Sequence, residues 1–316
     1  MTNSAPVDGY IKALCALAEE DRNLIVLDAD NSKSTRTERF RAQHPAQFLD
    51  LGIAEQNLVG VAVGLANAGK TVFANTFAPF ITGKCYDVVR VSAAYSQSNV
   101  KLVGCAGGIE MGEAGPTHLA PDDVGLMTLL PNMRVLVPAS AEEAYEATLI
   151  MAQEPGPFYM RVSRRKARHF ENGAPLRLGK ARVLREGTDV ALLSCGPILE
   201  EVMASALELS QQGISAAVVG FPTIKPLDEE TLLAVVQQTN AVVIVDEHTS
   251  MGGLTGLIST YLATHWPVSA EVVAVPDRFC PTMPFPQLAE KCGLYAANIT
   301  AAALRVRARK QSGGMR

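Results

Sequence analysis

Residues 50–69, DLGIAEQNLVGVAVGLANAG, constrain this chain more than any other stretch. They read as a strand end over 48–51, a turn at Gly52 and a helix over about 54–67. Leu58, Val59, Val61, Ala62, Val63, Leu65 and Ala66 leave that helix no wide polar face, so it is expected to be buried. Yet Glu55 falls in its first turn. A carboxylate there either answers the helix dipole in solvent or is a buried acid with a task. From these residues alone both readings stay open.

Length supports about two domains, and a hydrophobic content of 48% supplies a sizeable core. The net charge of −4 argues against a nucleic-acid or anionic-membrane partner, because no basic excess exists to neutralise phosphates. The cysteines, Cys15, Cys85, Cys105, Cys195, Cys280 and Cys292, form no CxxC and no zinc spacing. They read as buried thiols of a reducing compartment. With no secretory leader pattern and no apolar run of spanning length, the expected location is the cytoplasm.

In chain order, a helix is expected over 7–20 and an all-apolar strand over 24–27, the kind found in a parallel sheet covered on both faces. Asp28, Asp30 and Ser34 follow at its carboxyl end, where open α/β sheets place ligands; a simple polar turn is the competing reading. A strand over 71–76 runs into Phe77 and Phe80, either core or stacking surface. A helix over 84–96 and a strand over 100–104 come next. Residues 105–118, CAGGIEMGEAGPTH, hold four glycines and cannot be a regular element. A Gly-rich loop between strand and helix lets backbone approach a ligand, although this one lacks the dinucleotide and Walker spacings. His118 closes it as an ordinary or a catalytic histidine. Two further strands, at 133–137 and 158–162, complete a six-stranded doubly wound α/β domain. The basic run Arg164, Arg165, Lys166, Arg168, His169 opens a linker and is a solvated surface or a phosphate grip. The α/β alternation then repeats, with Glu247 and His248 at a strand end in a structural role, and a disordered tail from 311. The division is 1–165, linker 166–187, and 188–316.

Taken together, DLGIAEQNLVGVAVGLANAG, FANTFAPF, GEAGPTH and LPNMRVLVPAS resemble the pyrimidine-binding domain of transketolases, and VDEHTSMGGLTG resembles their C-terminal domain. The resemblance spans nearly the whole chain. It implies two doubly wound α/β domains and thiamine diphosphate as cofactor. A full transketolase also carries a diphosphate-binding domain with a GDG motif, and no GDG occurs here. The chain therefore resembles the C-terminal section of a split transketolase. A separate N-terminal subunit is implied to hold the diphosphate through Mg²⁺, with the metal ligands on that partner, none on this chain, and two copies of each chain in the assembly.

By that resemblance Glu55 matches the glutamate that binds the aminopyrimidine nitrogen and shares a proton with it. Phe80 matches the aromatic stacked on the ring and Phe77 its neighbour, while Gly83 stands where many members have a third aromatic. His118 matches the histidine on the donor's hydroxymethyl group and carbonyl oxygen. Ser34 and Arg164 match a serine and an arginine of the sugar-phosphate grip. The usual second arginine falls near Val7, the usual histidine near Ala106, and a sugar-binding aspartate at Ala114. These departures imply a ketol transfer with a non-standard sugar, for example branched or sulfonated. The rival readings are the β chain of a 2-oxoacid dehydrogenase, which shares length, fold and buried glutamate, and a non-catalytic regulatory subunit that kept the fold. Deoxyxylulose-phosphate synthase shares GPTH but carries both halves in one chain.

Overall fold

The computed structural model describes residues 4–170 and 174–313. The first sheet is built from β1 (Leu24–Asp28), β2 (Phe48–Asp50), β3 (Thr71–Phe77), β4 (Val100–Cys105), β5 (Arg134–Leu136) and β6 (Phe158–Val162). They lie side by side in the order β5-β6-β4-β3-β1-β2, all parallel. The second sheet holds β7 (Arg182–Arg185), β8 (Val190–Ser194) and β9 (Ala216–Gly220). A short strand, β10 (Thr223–Lys225), then leaves for the first sheet before β11 (Ala241–Thr249) and β12 (Ser269–Val275) return to the second. The order there is β12-β11-β8-β9-β7, with only the edge strand β7 antiparallel among the described residues.

β10 pairs antiparallel with β5, placing Thr223 opposite Leu136 and Lys225 opposite Val135. Lys225 Nζ donates to the carbonyls of Thr128 (2.9 Å) and Leu130 (2.6 Å), fastening the crossing. Among the described residues the first sheet thus has seven strands, not the six that residues before 165 supply. Likewise, the segment 166–187 expected as a linker already contains β7 of the second sheet.

Apolar side chains form three clusters. One lies between the sheets and joins residues of both, from Leu58, Ala62 and Val63 to Leu193, Val219, Phe221 and Val236. The outer face of the first sheet is covered by the helix Pro6–Glu20 and its neighbour Ala141–Gln153. The outer face of the second is covered by Leu199–Gln211 and Ala296–Gly313. Both faces of each sheet are therefore dry, which is why the strands are apolar without alternation.

The helix with Glu55 at its head spans Glu55–Asn67. It stops in a Schellman motif: Gly69 takes φ +87°, its N–H donates to the Ala66 carbonyl, and the Lys70 N–H donates to Leu65. It is not buried all round. Leu58, Val59, Ala62, Val63 and Ala66 face the shared core, but Gln56, Asn57, Gly60, Gly64 and Asn67 form an exposed stripe. Glycine's lack of a side chain hid that stripe from the hydropathy pattern.

Two more differences bear on the site. The helix expected over 84–96 begins earlier, as wide π-type turns at Phe80–Lys84 and Val89–Tyr95 around Tyr86–Val88. Its buried residues Ile81, Cys85, Val89 and Ala93 recur every fourth position, which suits a turn wider than 3.6 residues. Short helices at Ser32–Thr35 and Thr37–Gln43, unforeseen in the sequence, follow β1. At the other terminus the last helix runs on to Gly313, past the expected start of disorder; residues 314–316 lie outside the described residues.

Candidate active site

The site forms at the carboxyl ends of β1, β3, β4 and β6, as the crevice rule for parallel sheets requires. Glu55 is the first residue of its helix and only 2% exposed. Its Oε2 receives Lys84 Nζ at 2.5 Å; Oε1 accepts no hydrogen bond among the described residues. The same ammonium stands 5.9 Å from the centre of the Phe80 ring, so acid and aromatic share one mouth.

Phe77 ends β3 and Phe80 begins the first wide turn, where Thr82 Oγ donates to the Ala78 carbonyl at 2.6 Å. His118 closes the group. Its ring lies edge-on to Phe80 at 5.2 Å and to Phe77 at 6.0 Å, and the two Phe rings are 6.0 Å apart. The His118 N–H donates to the Gly115 carbonyl, and its Nδ1 lies 2.9 Å from Thr117 Oγ. Glu55, Phe77, Phe80 and His118, far apart in sequence, are thus one constellation.

The glycines of the 105–118 loop do something other than expected. Gly108, Gly112 and Gly115 admit the second half of the chain, and Gly107 admits Arg161 and Asp123 of the first. A Cβ on Gly115 would stand 2.2 Å from Thr282 Oγ, and one on Gly112 would stand 2.4 Å from the Met283 carbonyl oxygen. Met283 N–H donates to the Gly112 carbonyl at 3.0 Å, so this strap holds the loop that carries His118.

Ser34 and Arg164 form a second group beside the first. Phe77 and Cys105 are partners in the β3–β4 register, and Cys105 Sγ lies 3.7 Å from the Ser34 carbonyl. Burial pushes the Cys105 thiol up, so it stays protonated. Ser34 sits on a turn anchored by Asp28, which is buried and accepts from Thr35 (2.7 Å) and Thr37 (2.8 Å). Burial raises the Asp28 carboxyl despite those bonds; it is a scaffold, not a free base. The Arg164 guanidinium touches Met111 Sδ at 3.5 Å and has no carboxylate partner among the described residues. Between them Arg36 occupies the left-handed region at φ +61°, pairs with Asp8, and donates to the Arg164 carbonyl at 3.4 Å. Val7 and Ala106 are fully buried, so neither position presents a polar group; Ala114 and Gly83 are exposed.

The rest of the basic run divides. Lys166 and Arg168 are solvated, while Arg165 lies on the Phe285 ring at 3.6 Å and pairs with Glu247 at 2.6 Å. Glu247 Oε1 accepts the Ile109 N–H, and His248 Nε2 accepts the Gly125 N–H at 2.9 Å. His248 Nδ1 therefore carries the proton and donates to the Thr249 carbonyl, leaving the ring neutral. Beneath them Asp123 binds Arg161 through two hydrogen bonds and Tyr159 at 2.6 Å. These residues form the seam between the two sheets.

Sequence reasoning missed Lys84 and Arg36. Lys84 lies four residues after Phe80, a spacing that puts both on one side of a helical turn. Arg36 had no sequence signal, because a left-handed arginine is not written in composition. Among the described residues no three His, Cys, Asp or Glu side chains are placed to hold a metal, and no helix is long and apolar enough to cross a membrane.

A two-sheet α/β chain with a buried acid beside an aromatic trio is the pyrimidine-side half of a thiamine-diphosphate fold. Two family profiles agree: "Transketolase, pyrimidine binding domain" matches residues 7–169, and "Transketolase, C-terminal domain" matches residues 179–299. The 6-deoxy-6-sulfo-D-fructose transketolase subunit of a Clostridium species is 37% identical over 304 residues, covering 96% of this chain and 94% of that protein. An apulose-4-phosphate transketolase subunit of Phocaeicola vulgatus is 33% identical over 271 residues, covering 85% and 86%. A solved split gene transketolase, described as an inactive beta4 tetramer, superposes with a TM-score of 0.90 at 37% identity, covering 96% of this chain and 99% of that one. The chain belongs to the transketolase family.

Proposed function

We propose that this chain is the pyrimidine-side subunit of a split, thiamine-diphosphate-dependent transketolase that moves a two-carbon ketol unit from a ketose to an aldose. The carrying observation is Glu55: a carboxylate 2% exposed, with one oxygen held and the other unengaged among the described residues, beside Phe80 and His118. A ligand that offers Oε1 a hydrogen bond at this mouth fits it. When bound, thiamine diphosphate supplies the electron sink of the reaction. Glu55 Oε1 then holds the proton shared with the aminopyrimidine nitrogen. Phe77 and Phe80 wall the ring and exclude water. In the tautomer whose Nδ1 accepts from Thr117 Oγ, His118 Nε2 is the donor to the substrate's carbonyl oxygen.

The likeness to the pyrimidine-binding and C-terminal domains and to a split gene transketolase supports a second polypeptide as the source of the Mg²⁺ and diphosphate contacts. Two copies of each chain and a cytoplasmic location complete the proposal. For the substrate, Ser34 and Arg164 are its anion contacts, while the buried Val7 and Ala106 leave the ordinary phosphoketose grip incomplete. The names of the two relatives support the same direction: a sulfonated or branched sugar. Reconstitution with a diphosphate-domain subunit tests the whole reading. Cofactor binding and ketol transfer from 6-deoxy-6-sulfo-D-fructose or apulose 4-phosphate are expected. Efficient turnover of xylulose 5-phosphate with ribose 5-phosphate rejects the substrate class, and failure to bind cofactor rejects the assignment.

A further inference from the structure

We infer that Lys84 is a positioning residue for the cofactor: it pins Glu55 through Oε2 so that Oε1 is the oxygen offered to the aminopyrimidine ring. The inference rests on the reading of Glu55 given above. Three observations carry it. The Lys84 ammonium is the only group among the described residues that hydrogen-bonds the Glu55 carboxylate, and it does so at 2.5 Å on one oxygen alone. The pair is asymmetric, because Glu55 is 2% exposed while the lysine side chain is 49% exposed and reaches in from the mouth. And Lys84 leaves an open stretch of backbone: a Cβ on the preceding Gly83 meets nothing within 4 Å.

An ordinary surface ion pair between two exposed, rotamer-rich side chains orders little. Here one partner is fixed in a helix's first turn and the other starts from a wide turn whose backbone is held: Gln56 Nε2 donates to the Lys84 carbonyl at 3.3 Å. The carboxylate plane is therefore set by Lys84 before any ring arrives. Pre-orientation of a proton-sharing oxygen is what a supporting residue contributes to such a site. Without it the carboxylate rotates, and ring binding has to order it first.

The test uses the chain reconstituted with its diphosphate-domain subunit. Thiamine diphosphate with Mg²⁺ is titrated calorimetrically into wild type, Lys84→Met, Lys84→Arg and Glu55→Gln. Loss of a hydrogen bond to a charged group predicts a cofactor Kd raised about tenfold or more in Lys84→Met. Lys84→Arg is expected to recover to within about threefold, since it keeps charge and donor. The donor KM at saturating cofactor should not move. Wild-type cofactor affinity in Lys84→Met overturns the inference, as does a loss that appears only in donor KM. Should Lys84→Met fail to fold, Lys84→Ala removes the same donor from a half-exposed position and must likewise weaken the cofactor; wild-type affinity there overturns it equally. Cofactor binding unchanged in Glu55→Gln overturns the reading of Glu55 instead, and the two failures are thereby told apart.

Discussion

The mouth around Glu55 and the seam around Asp123 are both built of buried charge, and they differ in how that charge is answered. At the seam every carboxylate oxygen of Asp123 is engaged, by Arg161, by Tyr159 and by the Val124 N–H, and both Glu247 oxygens are met. At the mouth, among the described residues, Glu55 is met on one side only and Arg164 has no carboxylate at all. Charge balanced within one polypeptide holds sheets together. The charges at the mouth, Glu55 and Arg164, are those that the proposed function assigns to cofactor and substrate.

Substitutions test this contrast from both ends. The largest effect on activity is expected for Glu55→Gln, which leaves the helix intact but removes the acid. Turnover of the reconstituted enzyme should fall about 10²–10⁴-fold with the melting temperature of the free chain little changed. Steady-state rates and a thermal scan check both halves, and unchanged turnover breaks the contrast outright. Asp123→Ala should do the reverse. Stranding Arg161 as an uncompensated buried charge is expected to cost about 3–5 kcal/mol of stability, read as a lowered urea midpoint. A seam variant that stays stable would remove the distinction from the other side.

Arg164→Ala is expected to raise the KM of an anionic sugar about tenfold to hundredfold while leaving cofactor affinity alone, since only a charged hydrogen bond to substrate is lost. Equal weakening for an uncharged sugar would show that Arg164 is structural. The smallest effect is a slope. Lys101, at the opposite end of β4, is fully buried against the carbonyls of Glu154 and Gly156, with no counter-charge in contact among the described residues. Burial, and then Arg134 beside it, push its amine down from 10.5 to about 7. In that window the unfolded chain binds the proton that the native chain does not, so the group's contribution to stability rises with pH. Wild type should therefore gain stability relative to Lys101→Met between pH 7 and pH 9, by at most about 1.4 kcal/mol per pH unit. Urea midpoints that run parallel for the two chains would contradict it.

Much of this was legible before any coordinates. Apolar runs without alternation announced parallel strands, and a glutamate at the head of an apolar helix announced a tension that burial confirms. Glu55, Phe80 and His118, singled out by motif, do lie together at one mouth. What stayed illegible depended on distance along the chain. Glycine in the 105–118 loop looked like room for a ligand because sequence does not show Thr282 and Met283 arriving from elsewhere. The exposed stripe of the Glu55–Asn67 helix was hidden because Gly60 and Gly64 carry no polarity. Lys84 escaped notice because an exposed lysine normally reports nothing but solvent.

The strand β10 has a practical consequence. Because Thr223–Lys225 completes the sheet that begins near the amino terminus, the two folding units are interlaced rather than threaded in series. Excising the first one should yield a fragment with a raw backbone margin along Val135 and Leu136, prone to self-association. Any shuffled hybrid that exchanges carboxyl halves between relatives must therefore inherit the fit of three residues that belong, by pairing, to the other side.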